Sequence, residues 1–524
     1  MNVIDGSIPS SLPEGAIDGQ LYAGGTTVDD GTQFAGRAKT ALGNFVFQIE
    51  GLRRDAGDVS IPGFAKSDDL RAEEFAADPL GFEEGPEGVI TNTAFDFTVY
   101  GGGAAVVGDW GFIGLSAREF ESNYGLPLED EDEVGIEMEQ TRIDARGEFN
   151  VNLGPFQTAN FSAGYVDYQH GENALSELQT LFENEGYEFR GALVNGEAGE
   201  LWNGSAGVQF IQQDFSATGA EDFIPPAETI DYGIFGAQRY DKGSYGFEAG
   251  LRYETREVSP LIGEELNFDS ISGSGGAFFR PNEAIFTGFT VSHTERAPTN
   301  AELFSDGFHP ATGTFEIGNT DLEKETAWSL ETVINADGEG WKIEGAAYYT
   351  IFDDFIFLAG TGVDVPTDPG ETAPEFRYFQ DDANFLGFEL YGETDIVDFG
   401  LAKLRADATV EFVHGETSDL GPVPFIPPLS AILGTTLVGE KWQLRGDVEL
   451  VDNASNQADF ELPTDGYTLV DLQARVKPFD SKDLTLIFGA ENIFDVEARL
   501  NTSQLKDFVP LPGRNFRASI AIGF

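Results

Sequence analysis

A single histidine lies between two acidic residues in the stretch SDGFHPATGTFEIGN. Asp306 precedes His309 by three residues, and Glu316 follows it by seven. Imidazole is the usual protein ligand of Zn²⁺, which also accepts carboxylate oxygens. The sequence therefore predicts that His309, Asp306 and Glu316 form part of a metal site. The alternative is a loop histidine that makes only hydrogen bonds.

A run of consecutive carboxylates offers a second candidate for cation binding. It consists of Glu129, Asp130, Glu131, Asp132 and Glu133. Carboxylates are hard oxygen ligands that suit Ca²⁺ or Mg²⁺ and can make a first weak contact with Zn²⁺. Alternate side chains of an extended segment point apart, so the five cannot all converge on one ion. The run is either a cation-collecting loop or a solvated stretch of charge.

His170, in VDYQHGE, is the third candidate, because it falls at the outer end of a predicted strand and could join a ligand set from there. The other two histidines, His293 and His414, also fall near predicted outer ends. We find no G-x-S-x-G elbow, no phosphate-binding loop of the G-x-x-x-x-G-K type and no H-E-x-x-H motif. The sequence therefore predicts no enzymatic activity.

Composition excludes several classes of partner and anchor. The formal net charge is -61, from 91 acidic and 30 basic residues, so a nucleic-acid backbone would be repelled. The chain of 524 residues contains no cysteine and therefore no disulfide or thiolate metal site. No apolar run is long enough for a transmembrane helix. Glycine at 64 and phenylalanine at 45 favour β structure.

The candidate ligands must be positioned by strands, because apolar and polar residues alternate in runs of about ten residues. Such runs cover 245–254, 404–412, 442–450 and 484–490. Strands of soluble sandwiches are shorter, and about ten tilted residues match one crossing of a bilayer. The last strand shows the same pattern from Phe516 to Phe524, which predicts that one of its faces meets lipid.

Short turn signals, separated by long polar segments, divide the chain into a series of hairpins. The predicted short turns lie near 43–44, 108–109, 154–155, 196–197, 242–243, 281–282, 337–338, 398–399, 440–441 and 481–482. Long polar segments fall between them, at 52–92, 119–140, 294–325, 353–380 and 413–429. Short turns at one end and long loops at the other predict an all-β transmembrane antiparallel barrel of about 22 strands.

Two stretches resemble one family of proteins. ENIFDVEARLNTSQLKDFVPLPGRNFRASIAIGF (491–524) resembles the last two strands of TonB-dependent outer-membrane receptors, and SHTERAPTNAELFSDGFHPATGTFEIGNTDLEKET (292–326) resembles their mid-barrel signature. GFIGLSAREFESNYGLP (111–127) and FSATGAEDFIPPAET (215–229) are similar to the zinc-receptor subgroup. Where that subgroup often carries a histidine-rich loop, this chain has the acidic stretch LPLEDEDEVGIEME (126–139).

The resemblance implies a domain organisation. Residues 1–15 are expected to be the end of an N-terminal plug and its linker, with the rest of the plug almost entirely absent from this chain. Residues 16–524 are expected to be the barrel with long external loops. The location implied is the bacterial outer membrane, with outer-membrane lipid around a monomer. The missing plug would couple the barrel to TonB, ExbB and ExbD.

The resemblance also implies a function, the uptake of metal ions or metal chelates such as siderophores. Zinc is the first substrate expected, and Zn²⁺ or another divalent metal would be a transported ligand, since no resident cofactor is predicted. A passive porin-like channel and a secreted soluble β-rich enzyme are the alternatives.

Overall fold

The computed structural model describes residues 6–127, 134–174, 177–196, 199–219, 222–309, 312–367, 372–458, 460–480 and 483–524. In chain order the elements are β1 (Ile17–Thr26), β2 (Thr32–Leu42), β3 (Phe45–Ala56), β4 (Val59–Phe64), α1 (Asp68–Ala77), β5 (Glu87–Ile90), β6 (Phe95–Gly108), β7 (Gly111–Gly125), β8 (Val134–Leu153), β9 (Phe156–Ala174), β10 (Glu177–Asn195), β11 (Trp202–Gly219), β12 (Ala227–Asp241), β13 (Tyr245–Pro260) and β14 (Leu266–Asn282). They continue with β15 (Ile285–Arg296), α2 (Asn300–Phe304), β16 (Asp306–His309), β17 (Thr314–Ile317), β18 (Glu325–Gly338), β19 (Trp341–Pro366), β20 (Thr372–Asp398), β21 (Ala402–Thr417), β22 (Ser430–Gly439), β23 (Trp442–Val451), β24 (Tyr467–Val476), β25 (Asp483–Glu491) and β26 (Asn515–Gly523).

The sheet closes on itself, which confirms the predicted barrel of 22 antiparallel strands. The first and last strands pair from Gln20 opposite Gly523 to Thr26 opposite Arg517. Two backbone hydrogen bonds between Gly19 and Phe524, of 2.8 and 3.0 Å, complete the seam. A closed barrel leaves no unpaired strand edge, so the backbone groups are satisfied within the sheet.

Ten short connections join neighbouring strands at one end of the barrel, which we call the turn end. They cover 43–44, 109–110, 154–155, 196–201, 242–244, 283–284, 339–340, 399–401, 440–441 and 477–482. Each overlaps its predicted position or lies within two residues of it. The long connections all lie at the opposite end, which we call the loop end, and β4, α1, β5, α2, β16 and β17 lie within them.

Two of the long loops predicted from the sequence are largely strand. Residues 119–125 and 134–140 continue β7 and β8, and most of 353–380 belongs to the long strands β19 and β20. These extensions lie beyond the part of the barrel that carries the apolar alternation. Without that alternation the polar stretches read as loops, although the strands pair through their backbones.

Successive side chains of a strand point to opposite faces, and the two faces of these strands differ in polarity. On β7, Ile113 is 42% and Leu115 is 61% exposed, so both point away from the barrel. Ser116 and Arg118 occupy the other face, and Arg118 contacts Ser7 inside the barrel. The outer face is therefore an apolar belt and the inner face a polar lining, as expected of a barrel in lipid.

The N-terminal residues that the structure describes lie along the inner wall. The Ser7 hydroxyl donates to Glu50 at 2.7 Å, and Ile8 is buried against Ala105 and Phe112. A Cβ at Gly103 would overlap the Ser7 carbonyl, so this approach requires glycine at that position. In the described part of the chain, neither α1 nor α2 is long and apolar enough to cross a membrane.

Candidate functional site

The segment between β15 and β18 carries His309 and is fixed to the barrel by Arg296. The Arg296 guanidinium donates to Glu302 at 2.9 and 3.1 Å and to Glu325 at 3.0 and 3.1 Å. Glu302 also closes a capping box at the start of α2, because its side chain accepts the backbone N–H of Thr299 and its own N–H donates to the Thr299 hydroxyl. Glu302 therefore ties the helix start to the barrel wall.

A small hairpin then places His309 at the loop end. β16 pairs with β17, and β17 lies parallel to β20 with Phe315 opposite Glu375. Below the hairpin, Leu303 and Leu322 are buried against Val258 and Ile356. Apolar burial of this kind stabilises the segment by about 1.5–3 kcal/mol for each large side chain. The segment is thus held through the backbone pairing of its hairpin and through this apolar cluster.

His309 is oriented by a buried carboxylate and an aromatic ring. Its Nδ1 lies 2.7 Å from Glu316 Oε1, and Glu316 is only 4% exposed. The imidazole stacks on Phe223 with ring centroids 4.3 Å apart. The hydroxyls of Thr312 and Thr314 also approach the same Glu316 oxygen, at 3.4 and 3.5 Å.

This arrangement suits a metal-binding imidazole. A histidine that donates from Nδ1 to a carboxylate carries its lone pair on Nε2, and a metal-binding histidine almost always donates its other ring N–H to a carboxylate, a backbone carbonyl or water. Stacking on Phe223 also fixes the plane of the ring. His309 and Glu316, predicted together from the sequence, are therefore adjacent, with His309 as the group that can bind a metal and Glu316 as the group that positions it.

Asp306 lies apart from this pair. On the four-residue strand β16 it is opposite Ile317, whereas His309 is opposite Thr314. An odd separation along a strand directs two side chains to opposite faces, and Asp306 is exposed. The role of Asp306 as a ligand beside His309 stays a prediction. It would require movement of the hairpin.

His170 sits at the loop end of β9, beyond the lipid-facing part of that strand. Its Nδ1 is 2.9 Å from the Tyr168 hydroxyl, and its ring stacks on Phe182 at 4.5 Å. Its Nε2 lies 4.0 Å from a carboxylate oxygen of Glu172. Burial lowers the pKa of His170 below its ordinary value, which favours the neutral ring that can bind a metal.

One aromatic cluster connects the two predicted histidines. Phe182, Ala217 and Phe223 are buried together, with Phe182 stacked on His170 and Phe223 stacked on His309. The two imidazoles therefore border the same apolar cluster, although residues 309 and 170 come from distant parts of the chain. Phe223 gave no signal in the sequence, because its contact with His309 spans 86 residues and depends on how two loops fold over the barrel mouth.

The remaining candidate residues are not gathered with these two. Glu129, Asp130, Glu131, Asp132 and Glu133 fall in 128–133, outside the described residues. Among the residues that the structure describes, no group of three or more His, Asp or Glu side chains converges to hold a metal ion. His309 with Glu316 is therefore an incomplete ligand set, and the metal-site assignment remains a prediction.

The two other histidines lie on the outer surface. His293 stacks on Trp328, which is 53% exposed, with ring centroids 4.7 Å apart. His414 lies 3.8 Å from Glu416 and shares the outward face of β21 with Phe412. An aromatic pair at this height on an outward face is typical of the girdle at a membrane interface.

Comparison with known proteins assigns the barrel to a family. The family model described as "TonB dependent receptor-like, beta-barrel" matches residues 81–493. The rhizobactin receptor of Rhizobium meliloti (strain 1021) is 23% identical over 302 residues, which are 56% of this chain and 36% of the receptor. The aligned region thus spans about a third of that relative.

Solved structures share the fold at low sequence identity. The copper transporter OprC superposes with a TM-score of 0.80 at 16% identity, covering 98% of this chain and 81% of OprC. The FrpB iron transporter of Neisseria meningitidis (F3-3 variant) gives 0.75 at 14% identity, with 98% and 82% covered. The siderophore receptor PirA of Pseudomonas aeruginosa gives 0.64 at 14% identity, with 98% and 81% covered.

Proposed function

The chain belongs to the TonB-dependent receptor-like β-barrel family, and on that premise we propose that it is the barrel of an outer-membrane receptor that takes up metal ions or metal chelates. One observation carries the proposal beyond family membership. The loop end holds His309 with its Nδ1 2.7 Å from the buried carboxylate of Glu316, a geometry that prepares Nε2 for a metal.

The cargo class is supported by the similar proteins, whose names refer to copper, iron, a siderophore and rhizobactin. Zinc is the first ion to test, because it is the substrate that the sequence resemblance predicts. Copper and iron chelates are tested beside it. Asp306, His170 and the run Glu129 to Glu133 are proposed as further ligands that the cargo recruits at the loop end.

The proposed setting is the bacterial outer membrane, with the apolar belt of a monomer in lipid and the loop end outside. Residues 1–15 are proposed to be the end of a plug and its linker, through which TonB, ExbB and ExbD would supply energy. Ser7 bonds to a polar group of the inner wall and Ile8 is buried against its apolar residues. Both contacts support the proposal that a polypeptide lies in the lumen.

Uptake by cells that produce the protein, compared with cells that lack it, tests the proposed function. We expect one of Zn²⁺, Cu²⁺ or an Fe³⁺ chelate to accumulate faster in producing cells, and an uncoupler to abolish the difference. Equal accumulation of every metal in the two strains would contradict the proposal. An increase that survives the uncoupler would contradict energy coupling.

His309→Ala tests the metal site itself. Because Nε2 of His309 is the proposed ligand, the dissociation constant of the cargo metal should rise by about tenfold or more, as measured by calorimetry on the protein in detergent micelles. Glu316→Gln should also weaken binding, since it loses the group that positions the ring. His414→Ala is the matched control and should leave affinity unchanged. Unchanged affinity in His309→Ala would remove His309 from the site.

A further inference from the structure

We propose that the outer surface of the barrel beside its seam binds one phosphorylated glycolipid. An acyl chain would lie in an apolar groove across β26, β1, β2, β3 and β6, with the phosphate on Arg53 and the sugar in a polar hollow above it. The groove measures about 590 Å³, a size that suits one small ligand or one chain of a larger one. The inference rests on the lipid-facing belt and holds whether or not the chain takes up a metal.

Two glycines form the floor of the groove. Gly36 on β2 is directly opposite Gly51 on β3, so no side chain fills this part of the outward face. Leu21 pairs with Gly36 on one side, and Tyr100 pairs with Gly51 on the other. Leu21 and Tyr100 are each 52% exposed, and Phe34 beside them is 62% exposed. The groove therefore opens to the surroundings of the barrel and not to the lumen.

The lining of the groove is almost entirely apolar, which suits an acyl chain. Besides the two glycines it includes Leu21, Ala23, Phe34, Ile520 and Ile522. Lipid tails are as apolar as these side chains, so the groove alone discriminates little between one lipid and another. The headgroup must therefore decide which lipid is held.

Arg53 lies where the phosphate of such a lipid is expected. It is directly opposite Phe34 and Thr98, one outward position above Gly51. Eight residues separate it from Phe45 at the turn end of β3. With a rise of about 3.3 Å per residue and a strand tilt of about 40°, Arg53 stands about 20 Å above Phe45. An apolar belt is about 25 Å tall, so Arg53 is near its upper margin.

The guanidinium of Arg53 has donors left for a phosphate. Its Nε donates to Asp55 at 3.0 Å, with Nη2 on the second oxygen, and its Nη1 lies 3.5 Å from the Thr98 hydroxyl. A guanidinium carries five N–H groups, and this side chain is 56% exposed. Along the paired outward positions from Ile520 through Arg53 to Glu183, all within the described residues, Arg53 is the one cation.

A polar hollow of about 590 Å³ lies directly above this arginine. Four polar side chains on four adjacent strands form its lower row, each opposite the next: Asp55, Asp96, Asn123 and Glu137. Above that row Gly125 is opposite Gly135, which leaves the space open. Carboxylates and amides bond to hydroxyl groups, whereas the carboxylates repel further phosphate. The part of the ligand above Arg53 should therefore be a neutral sugar.

Native mass spectrometry of the protein released from detergent micelles tests the proposal. The probe is monophosphoryl lipid A, which combines acyl chains, one phosphate and a disaccharide. We expect one bound molecule per barrel. Phosphatidylethanolamine, which has acyl chains and a phosphate but no sugar, should bind at least tenfold more weakly. Equal binding of the two lipids would contradict a glycolipid site.

Gly51→Leu tests the groove, because the new side chain would occupy the place of the acyl chain. A Cβ at Gly51 meets only the Val99 carbonyl, at an ordinary contact distance of 3.7 Å, so the backbone need not move. The dissociation constant should rise about tenfold or more. Gly275→Leu is the matched control, since Gly275 is opposite the outward Val291 on the far side of the barrel and its Cβ meets nothing within 4 Å.

Arg53→Gln tests the phosphate contact and should also weaken binding about tenfold, since it removes a charged hydrogen-bonding group. Lys324→Gln is its control, because Lys324 is a loop-end cation on the far side of the barrel that pairs with Glu295. No retained lipid A, or an equal loss in each variant and its control, would overturn the proposal. Unchanged strand content by circular dichroism shows that each variant is folded.

Discussion

At the residue scale, Lys506 and Glu461 form a buried ion pair at the loop end. The two charges are 3.1 Å apart, and their side chains are only 3% and 2% exposed. Asn501 accepts a second hydrogen bond from Lys506 at 3.0 Å, and Thr464 donates to the same oxygen at 2.8 Å. A buried pair of charges is stable only when its remaining hydrogen bonds are made in this way.

Lys506→Met should destabilise the protein strongly, because it leaves Glu461 buried without its partner. We expect a loss of about 3–5 kcal/mol in the free energy of unfolding, measured by denaturant titration in micelles. Lys441→Met provides the control, since its partner Asp480 is 79% exposed and an exposed pair contributes about 0–1 kcal/mol. Equal stability of the two variants would show that the buried pair is not structurally important.

Sequence reasoning at this scale succeeded where contacts are local. His309 and Glu316 are seven residues apart in one hairpin, and their types and spacing indicated a pair. The carboxylate partner of Lys506 and the ring under His309 could not be predicted, because they lie 45 and 86 residues away. Such contacts depend on how the loops fold over the barrel mouth, and no periodic pattern in the sequence indicates how they do so.

At the element scale, the first and last long loops are joined beside the barrel seam. Arg499 donates to the backbone carbonyls of Ala65, at 2.9 Å, and of Phe64, at 3.0 Å. Ser67, the N-cap of α1, donates to Asp507 at 2.9 Å. Partial burial raises the pKa of Asp507 above its ordinary value.

Arg499→Gln should release the first loop while leaving the barrel intact. The carbonyls of Phe64 and Ala65 lose their charged donor, a cost of about 1–3 kcal/mol to that contact. Amide hydrogen exchange in residues 64–78 should then accelerate about tenfold or more, while the barrel strands keep their protection. Arg514→Gln, at an exposed ion pair with Asp495, is the control. Unchanged exchange in 64–78 would contradict a joining role for Arg499.

Elements were predictable wherever lipid imposes a pattern. Strands such as 245–254 and 442–450 alternate because one face meets an apolar solvent. The connections are short where the chain reverses directly into the neighbouring strand. Above the belt, both faces of β19 and β20 meet water or other loops. Their polar stretches carry no alternation, which is why 353–380 was predicted as loop.

At the scale of the whole molecule, the closed barrel explains the composition of the chain and the alternation of its closing strand. Phe516, at 53% exposure, and Phe524, at 58%, lie on the outward face of the closing strand. A net charge of -61 is compatible with this architecture, because the charges collect on the lining and the loop end. The lipid-facing belt and the polar lining both depend on that closure.

Spin labelling tests the lipid-facing barrel most directly, and the cysteine-free sequence allows single-cysteine variants without other changes. Residues 328–334 of β18 would be labelled one at a time in a reconstituted bilayer. Trp328, Leu330 and Ile334 are 53%, 43% and 44% exposed. Labels at 328, 330, 332 and 334 should collide mainly with oxygen dissolved in lipid, and labels between them mainly with a water-soluble nickel chelate. Equal access of the nickel chelate to both sets would contradict a barrel that faces lipid outside and water within.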